Sequence, residues 1–181
     1  MRAGRKLFAE HGFAGVGTDT IVRAADVSRG ALYHHFSDKT GLFAAVLDEL
    51  EGEAARQVAE AAFAAPEAGV AEKMSLALLA WLDACERPEL QRILLVDGPS
   101  VLGWARWREI CQNHILGMIE GVLAQGMADG TVRELPVRPL AHVLLAVADE
   151  AALLISAAED PSAARQDVLA TVEPFFDALK R

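Results

Sequence analysis

The sequence predicts an all-α protein with a small three-helix head and a larger helical body, about nine helices in all. Three observations carry that prediction. Hydrophobic residues make up 52% of the 181-residue chain, with Ala and Leu ahead of the β-branched types and aromatics at only 6%. Apolar residues recur at three- and four-residue spacing, and no strand-like alternation of useful length occurs. Gly and Pro fall between the periodic stretches, where helices end. A chain of this length buries a real core in one or two small domains.

The elements follow in order. The first helix is expected over residues 2–11 and stops at Gly12, with Leu7 and Phe8 turned inward and Phe13 packing back after the turn. Thr18 is expected to cap a second helix, and Asp19 in its first turn suits the positive end of the dipole. Ile21, Val22 and Ala25 give that helix its apolar side. Asp26-Val27 makes the turn and Ser28 caps a third helix. A long fourth helix begins near Lys39, runs through Leu42, Phe43, Val46, Leu47 and Leu50 toward Phe63, and ends at Pro66 and Gly69. A fifth covers residues 70–86 and stops before Arg87-Pro88. A short or broken helix near residues 89–96 is closed by Gly98-Pro99. The next begins at about 101–104 and ends near Met127, before Asp129-Gly130. Pro136 and Pro139 bracket a linker into a helix over 140–158, and Asp160-Pro161 opens the last one, through Leu179.

Charge divides the chain. Its formal net charge is −9, but residues 1–47 hold six Lys/Arg against four acids, a surplus of two, which leaves −11 on the remainder. An acidic body disfavours non-specific binding to polyanions, while a locally basic face still docks on phosphates. Cys85 and Cys111 lie far apart without His or Cys at metal-ligand spacing, so no disulfide framework, zinc site or other cofactor is expected, and a reducing cytoplasm fits. The opening MRAGRKLFAEHGF lacks the apolar core of a signal peptide. Residues 140–156 are the most apolar stretch, but His142, Asp149 and Glu150 interrupt them. They are expected to form a buried or interface helix, with no membrane as partner.

Residues 18–39, TDTIVRAADVSRGALYHHFSDK, hold the most specific chemistry. Two short helices around a tight turn, the second basic and aromatic-tipped, have the layout of a helix-turn-helix, in which the second helix enters the DNA major groove. Ser28 at a helix start offers a hydroxyl and free backbone N–H groups to a phosphate. Arg29 suits the O6/N7 edge of guanine, and Gly30 lets bases approach the backbone. Leu32 and Phe36 are expected to point inward, with Tyr33, His34 and His35 along the far end and Lys39 as a point charge for a phosphate.

The string Phe8…Gly12-Phe13…Thr18…Ile21…Ala25-Asp26-Val27-Ser28-Arg29-Gly30-Ala31-Leu32-Tyr33-His34-His35-Phe36…Lys39…Leu42 resembles the N-terminal domain of the TetR family of transcriptional regulators. The resemblance covers about the first 47 residues. It implies a homeodomain-like helix-turn-helix domain over 1–47 and a ligand-binding, dimerising helical domain over 48–181. It further implies that Arg29, Gly30 and Tyr33 face bases of a double-stranded operator, while Thr18, Ser28, His34, His35 and Lys39 touch its backbone. Departures are Asp26 where the family usually has Gly, and Val22 where many members have Ala. The chain also starts almost at the first helix, where most members carry a basic arm; either the arm is missing or the true N-terminus is longer.

In the body, Leu140, Val143, Leu144, Val147, Leu154 and Ile155 spread over more than one stripe, and the last helix adds Val168, Leu169, Val172, Phe175, Phe176 and Leu179. A helix apolar nearly all round is central or shared with a partner chain, so these two helices are expected to form a homodimer. Trp104, Trp107, Cys111, His114, Ile115, Met118 and Val122 share one helix face, and Leu78, Trp81, Leu82 and Cys85 another. Of these, Trp81, Cys85, Trp104, Trp107, Cys111, His114 and Met118 are the candidates to line a pocket for a small apolar or amphipathic effector, although a plain core would use the same residue types. Asp149-Glu150 and Glu159-Asp160 lack a partnering base, and no nucleophile motif or phosphate loop occurs, so catalysis is not expected. The expected function is a repressor on a palindrome. The alternatives are an activator of the same build, or a small-molecule-binding or catalytic protein whose head mediates assembly.

Overall fold

The computed structural model describes all residues, Met1–Arg181. They fall into two compact units: residues 1–53 with 87–111, and residues 54–86 with 112–181. The first unit thus takes in a middle segment that the expected division at residue 47 assigned to the body.

The first unit contains α1 (Arg2–His11), α2 (Thr18–Ala25), α3 (Arg29–His35) and the start of α4 (Lys39–Phe63). It also contains α6 (Pro88–Leu90), a π-helical stretch (Gln91–Asp97), α7 (Gly98–Leu102) and the start of α8 (Trp104–Ala128). Its core is Phe8, Leu42, Phe43, Leu47 and Leu50 from the head with Leu90, Ile93, Leu94 and Trp107 from the middle segment, all essentially fully buried. Phe43 meets the edges of Phe8 and Phe13 at centroid distances of 5.3 and 5.2 Å. The Trp107 indole N–H donates to the Leu94 carbonyl at 3.0 Å, so this large side chain is buried with its polar atom satisfied.

The broken helix expected before Gly98 is present, but Gly98-Pro99 does not end it. Pro99 stands in the first turn of α7, where a missing N–H costs nothing. Gly98 serves packing: a Cβ there would lie 2.8 Å from Trp107 Cδ1 and 2.9 Å from Leu47 Cδ1. The break comes at Gly103, whose φ of 76° belongs to the left-handed side that glycine tolerates. With residues 88–102 taken as one interrupted helix, the chain has nine helical stretches.

The second unit contains the end of α4, α5 (Val70–Cys85), the rest of α8, α9 (Val137–Ala157) and α10 (Pro161–Asp177). Helices α5, α9 and α10 pack on one another. The Trp81 indole N–H donates to the Ala148 carbonyl at 3.1 Å, and Arg165 on α10 bridges Asp83 and Glu86 on α5. Pro139, expected in the linker, lies in the first turn of α9, where the same tolerance for proline applies. Val132 pairs with Lys180, which fastens the C-terminus beside the loop after α8. By length and mean hydropathy α9 is able to cross a membrane. It lies against α5 and α10, however, with Asp149 buried at 4% exposure.

Candidate nucleic-acid interface

The interface begins with how α2 and α3 are set. Gly17, not Thr18, is the N-cap of α2; Thr18 is its first helical residue and makes no capping hydrogen bond. The Thr18 hydroxyl therefore stays available at the helix start. At the other end Asp26 adopts φ 53°, ψ 46°, the left-handed conformation that aspartate reaches at modest cost. Its N–H returns to the Arg23 carbonyl and that of Val27 to the Val22 carbonyl, which closes the turn.

Ser28 caps α3 as expected, its Oγ accepting from the Ala31 N–H at 3.1 Å. That leaves the hydroxyl proton free to donate. Of the seven residues of α3 only Leu32 is buried; Arg29, Gly30, Ala31, Tyr33, His34 and His35 are all exposed. A helix anchored by one leucine and otherwise given to solvent contributes little to the core. Phe36, just past its end, is half-buried and shares the anchoring. His34 and His35 meet edge to face at 5.3 Å, and Arg29 Nε lies 3.5 Å from Asp19 Oδ1.

Lys39 has a role beyond the expected phosphate contact. Its Nζ donates to the carbonyls of Phe13 and Val16 at 3.0 and 2.9 Å and lies 4.0 Å from the Phe13 ring centroid. An ammonium has three donors, so one remains for a ligand. The same loop is held from the middle segment. Asp97 accepts the Phe13 N–H at 2.7 Å and pairs with Arg92 at 3.4 Å. Arg92 also lies over Gly12, where a Cβ would strike the guanidinium. Arg5 on α1 donates to Glu89 on α6 and to Glu53 on α4, and the charge of its guanidinium is reinforced first by Glu89 and then by Glu53. Sequence reasoning missed these holding residues, because none carries a local motif.

The candidate pocket residues are divided between the units. Trp104, Trp107 and Cys111 belong to the first; Trp81, Cys85, His114 and Met118 belong to the second. Trp104 is 63% exposed and so lines no interior cavity, whereas Trp107 and Trp81 are core residues with satisfied indoles. Cys85 and Cys111 form no disulfide and are buried, and His114 is half-buried. Met118 lines a cleft of the second unit, with Phe63, Lys73, Gly117 and Gly121, which the sequence reasoning did not single out. The glycine pair one turn apart inside α8 was the available signal.

Taken together, an exposed, capped and loop-braced α3 on an all-helical chain defines the class of helix-turn-helix proteins. Residues 1–46 match the family described as bacterial regulatory proteins, tetR family. Residues 71–179, over half of the chain, match the tetracyclin repressor-like C-terminal domain. The protein belongs to the TetR family of bacterial regulators.

The HTH-type transcriptional repressor AcnR of Corynebacterium diphtheriae is 42% identical over 60 residues, 33% of this chain and 32% of AcnR. The HTH-type transcriptional regulator SrpR of Pseudomonas putida is 30% identical over 139 residues, 75% of this chain and 61% of SrpR. The chain thus spans about a third of AcnR and under two thirds of SrpR. The crystal structure of a TetR-family transcriptional regulator from Pectobacterium atrosepticum superposes with a TM-score of 0.84 at 30% identity, covering 99% of this chain and 91% of that one.

Proposed function

We propose that the protein is a cytoplasmic, sequence-specific transcriptional repressor that binds a palindromic operator in double-stranded DNA as a homodimer and responds to a small effector. The observation that carries this is α3, a capped helix with six of seven residues exposed, among them Arg29, Gly30 and Tyr33. Arg29 reads a guanine edge, Gly30 admits the bases, and Tyr33 adds an aromatic contact. Thr18, Ser28, His34, His35 and the remaining donor of Lys39 hold the phosphates and fix the register. Repression is the role of AcnR, which resembles this chain over a 60-residue stretch.

Dimerisation is supported by the face shared by α9 and α10. Val143, Leu154 and Phe175 are 58, 54 and 62% exposed, around an apolar groove of about 540 Å3. A contiguous apolar patch of this kind marks a protein interface, and a second copy supplies the two-fold symmetry a palindrome requires. Half-sites one helical turn apart, about 34–36 Å, must be met by both heads at once, so α4, which contributes residues to both units, is the lever by which an effector spoils docking.

DNA affinity measured by fluorescence anisotropy tests this. A dimer making six to ten phosphate contacts loses about 10³–10⁵ in affinity between 50 and 200 mM salt. Affinity indifferent to salt would contradict phosphate docking.

A further inference from the structure

Of the six exposed residues of α3, five have a part in the proposed docking and Ala31 has none. It stands in the first turn, the part of a recognition helix that meets base edges. The Ser28 cap holds it there. The Ala31 N–H donates to Ser28 Oγ at 3.1 Å, which fixes the backbone that carries the methyl group. Leu32 is the buried residue of the helix. At about 100° per residue, Gly30 therefore faces nearly opposite the core, with Arg29 to one side of it and Ala31 to the other.

The chemistry open to this position is narrow. Arg29, Tyr33, His34 and His35 all carry polar tips, whereas a lone methyl group offers neither donor nor acceptor. In the major groove guanine, adenine and cytosine present hydrogen-bonding groups. A methyl group pressed on one of these strips its water without replacing the hydrogen bond. Thymine presents a C5-methyl group beside its O4 acceptor, and alanine packs on that methyl. The alanine side chain is short, so the base must come close to the helix. Gly30 permits the approach. A Cβ built there has Ser28 Oγ, 3.8 Å away, as its nearest atom beyond the chain neighbours, so the space beside Ala31 is open.

We infer that Ala31 is a specificity-determining residue whose methyl group packs on the C5-methyl of one thymine in each operator half-site. This rests on the reading of DNA by α3 proposed above. Burying one methyl group in this way is worth about fourfold in affinity per half-site, and about fifteenfold over the two half-sites that a dimer occupies. Alanine also favours the helix itself, so the assignment is tested on the DNA and not on stability.

The probe is the duplex that the wild-type protein selects from a random-sequence pool, with each symmetry-related pair of thymines replaced in turn by uracil. Uracil lacks the methyl group and keeps every hydrogen-bonding edge. For one pair, the wild type should bind the uracil duplex about tenfold to twentyfold more weakly by fluorescence anisotropy. Ala31→Gly should bind the two duplexes alike. Ala31→Ser, a milder change to the helix, should bind them within about threefold of each other. The ratio of two affinities within one variant is independent of what the substitution costs the helix, so a loss of stability does not imitate the result. A wild type indifferent to every replacement, or the full uracil penalty in Ala31→Gly and Ala31→Ser, would overturn the assignment and leave sequence reading by α3 standing. Failure of the wild type to select any consensus would overturn that reading, and the role of Ala31 with it.

Discussion

Arg29 shows how much rests on one exposed side chain. Its ion pair with Asp19 is 3.5 Å long, with side-chain exposures of 60 and 70%, and pairs of that kind are worth about 0–1 kcal/mol. Asp19 therefore restrains Arg29 weakly while adding a negative charge beside α3. Asp19→Asn should leave unfolding free energy within about 0.5 kcal/mol and tighten DNA binding several-fold at low salt. Weaker binding at unchanged stability would mean that the aspartate positions Arg29 for its base. At this scale the sequence was legible wherever chemistry is local: the Ser28 cap, the left-handed Asp26 and the buried Leu32 all follow from near neighbours. Lys39 was only half legible. Its carbonyl partners lie 23 and 26 residues away, and no local pattern announces them.

Among the elements, the long helices end where glycine and proline signals placed them, at Gly12, before Gly69 and before Gly130. Gly98-Pro99 and Pro139 misled for one physical reason. Proline in a first helical turn forfeits nothing, so the same residue that ends one helix also opens another. The π-helical stretch was not foreseen either. Its last residue, Asp97, is buried at 8% exposure and holds the Phe13 N–H, so this stretch braces the loop that orients α2. Asp97→Ala removes the acceptor and should cost about 1–3 kcal/mol in denaturant unfolding, with DNA affinity falling as well. Unchanged stability together with unchanged DNA affinity would show that the loop needs no brace.

For the molecule as a whole, the uneven charge pointed to a docking head on an acidic body, and the surplus of apolar residues in the last two helices pointed to a partner chain. The pocket was the least legible feature. A tryptophan-rich helix face looks the same whether it lines a cavity or fills a core: Trp81 and Trp107 are buried with their indoles satisfied, while Trp104 is 63% exposed. The exposed α9–α10 face yields a prediction at this scale. Leu154→Glu with Phe175→Glu places charges on side chains 54 and 62% exposed, so helical content should be unchanged while sedimentation shifts from dimer to monomer. A dimer that persists through both substitutions would place the interface elsewhere. Selection of duplexes from a random-sequence pool, by the wild-type protein and by Arg29→Ala in parallel, examines head and dimer together. The wild type should recover one palindrome with half-sites about 10 base pairs apart or a multiple, and Arg29→Ala should lose its preference at one guanine per half-site, about 1–3 kcal/mol of discrimination. Recovery of no consensus by the wild type, or of the same consensus at the same stringency by Arg29→Ala, would contradict sequence reading by α3.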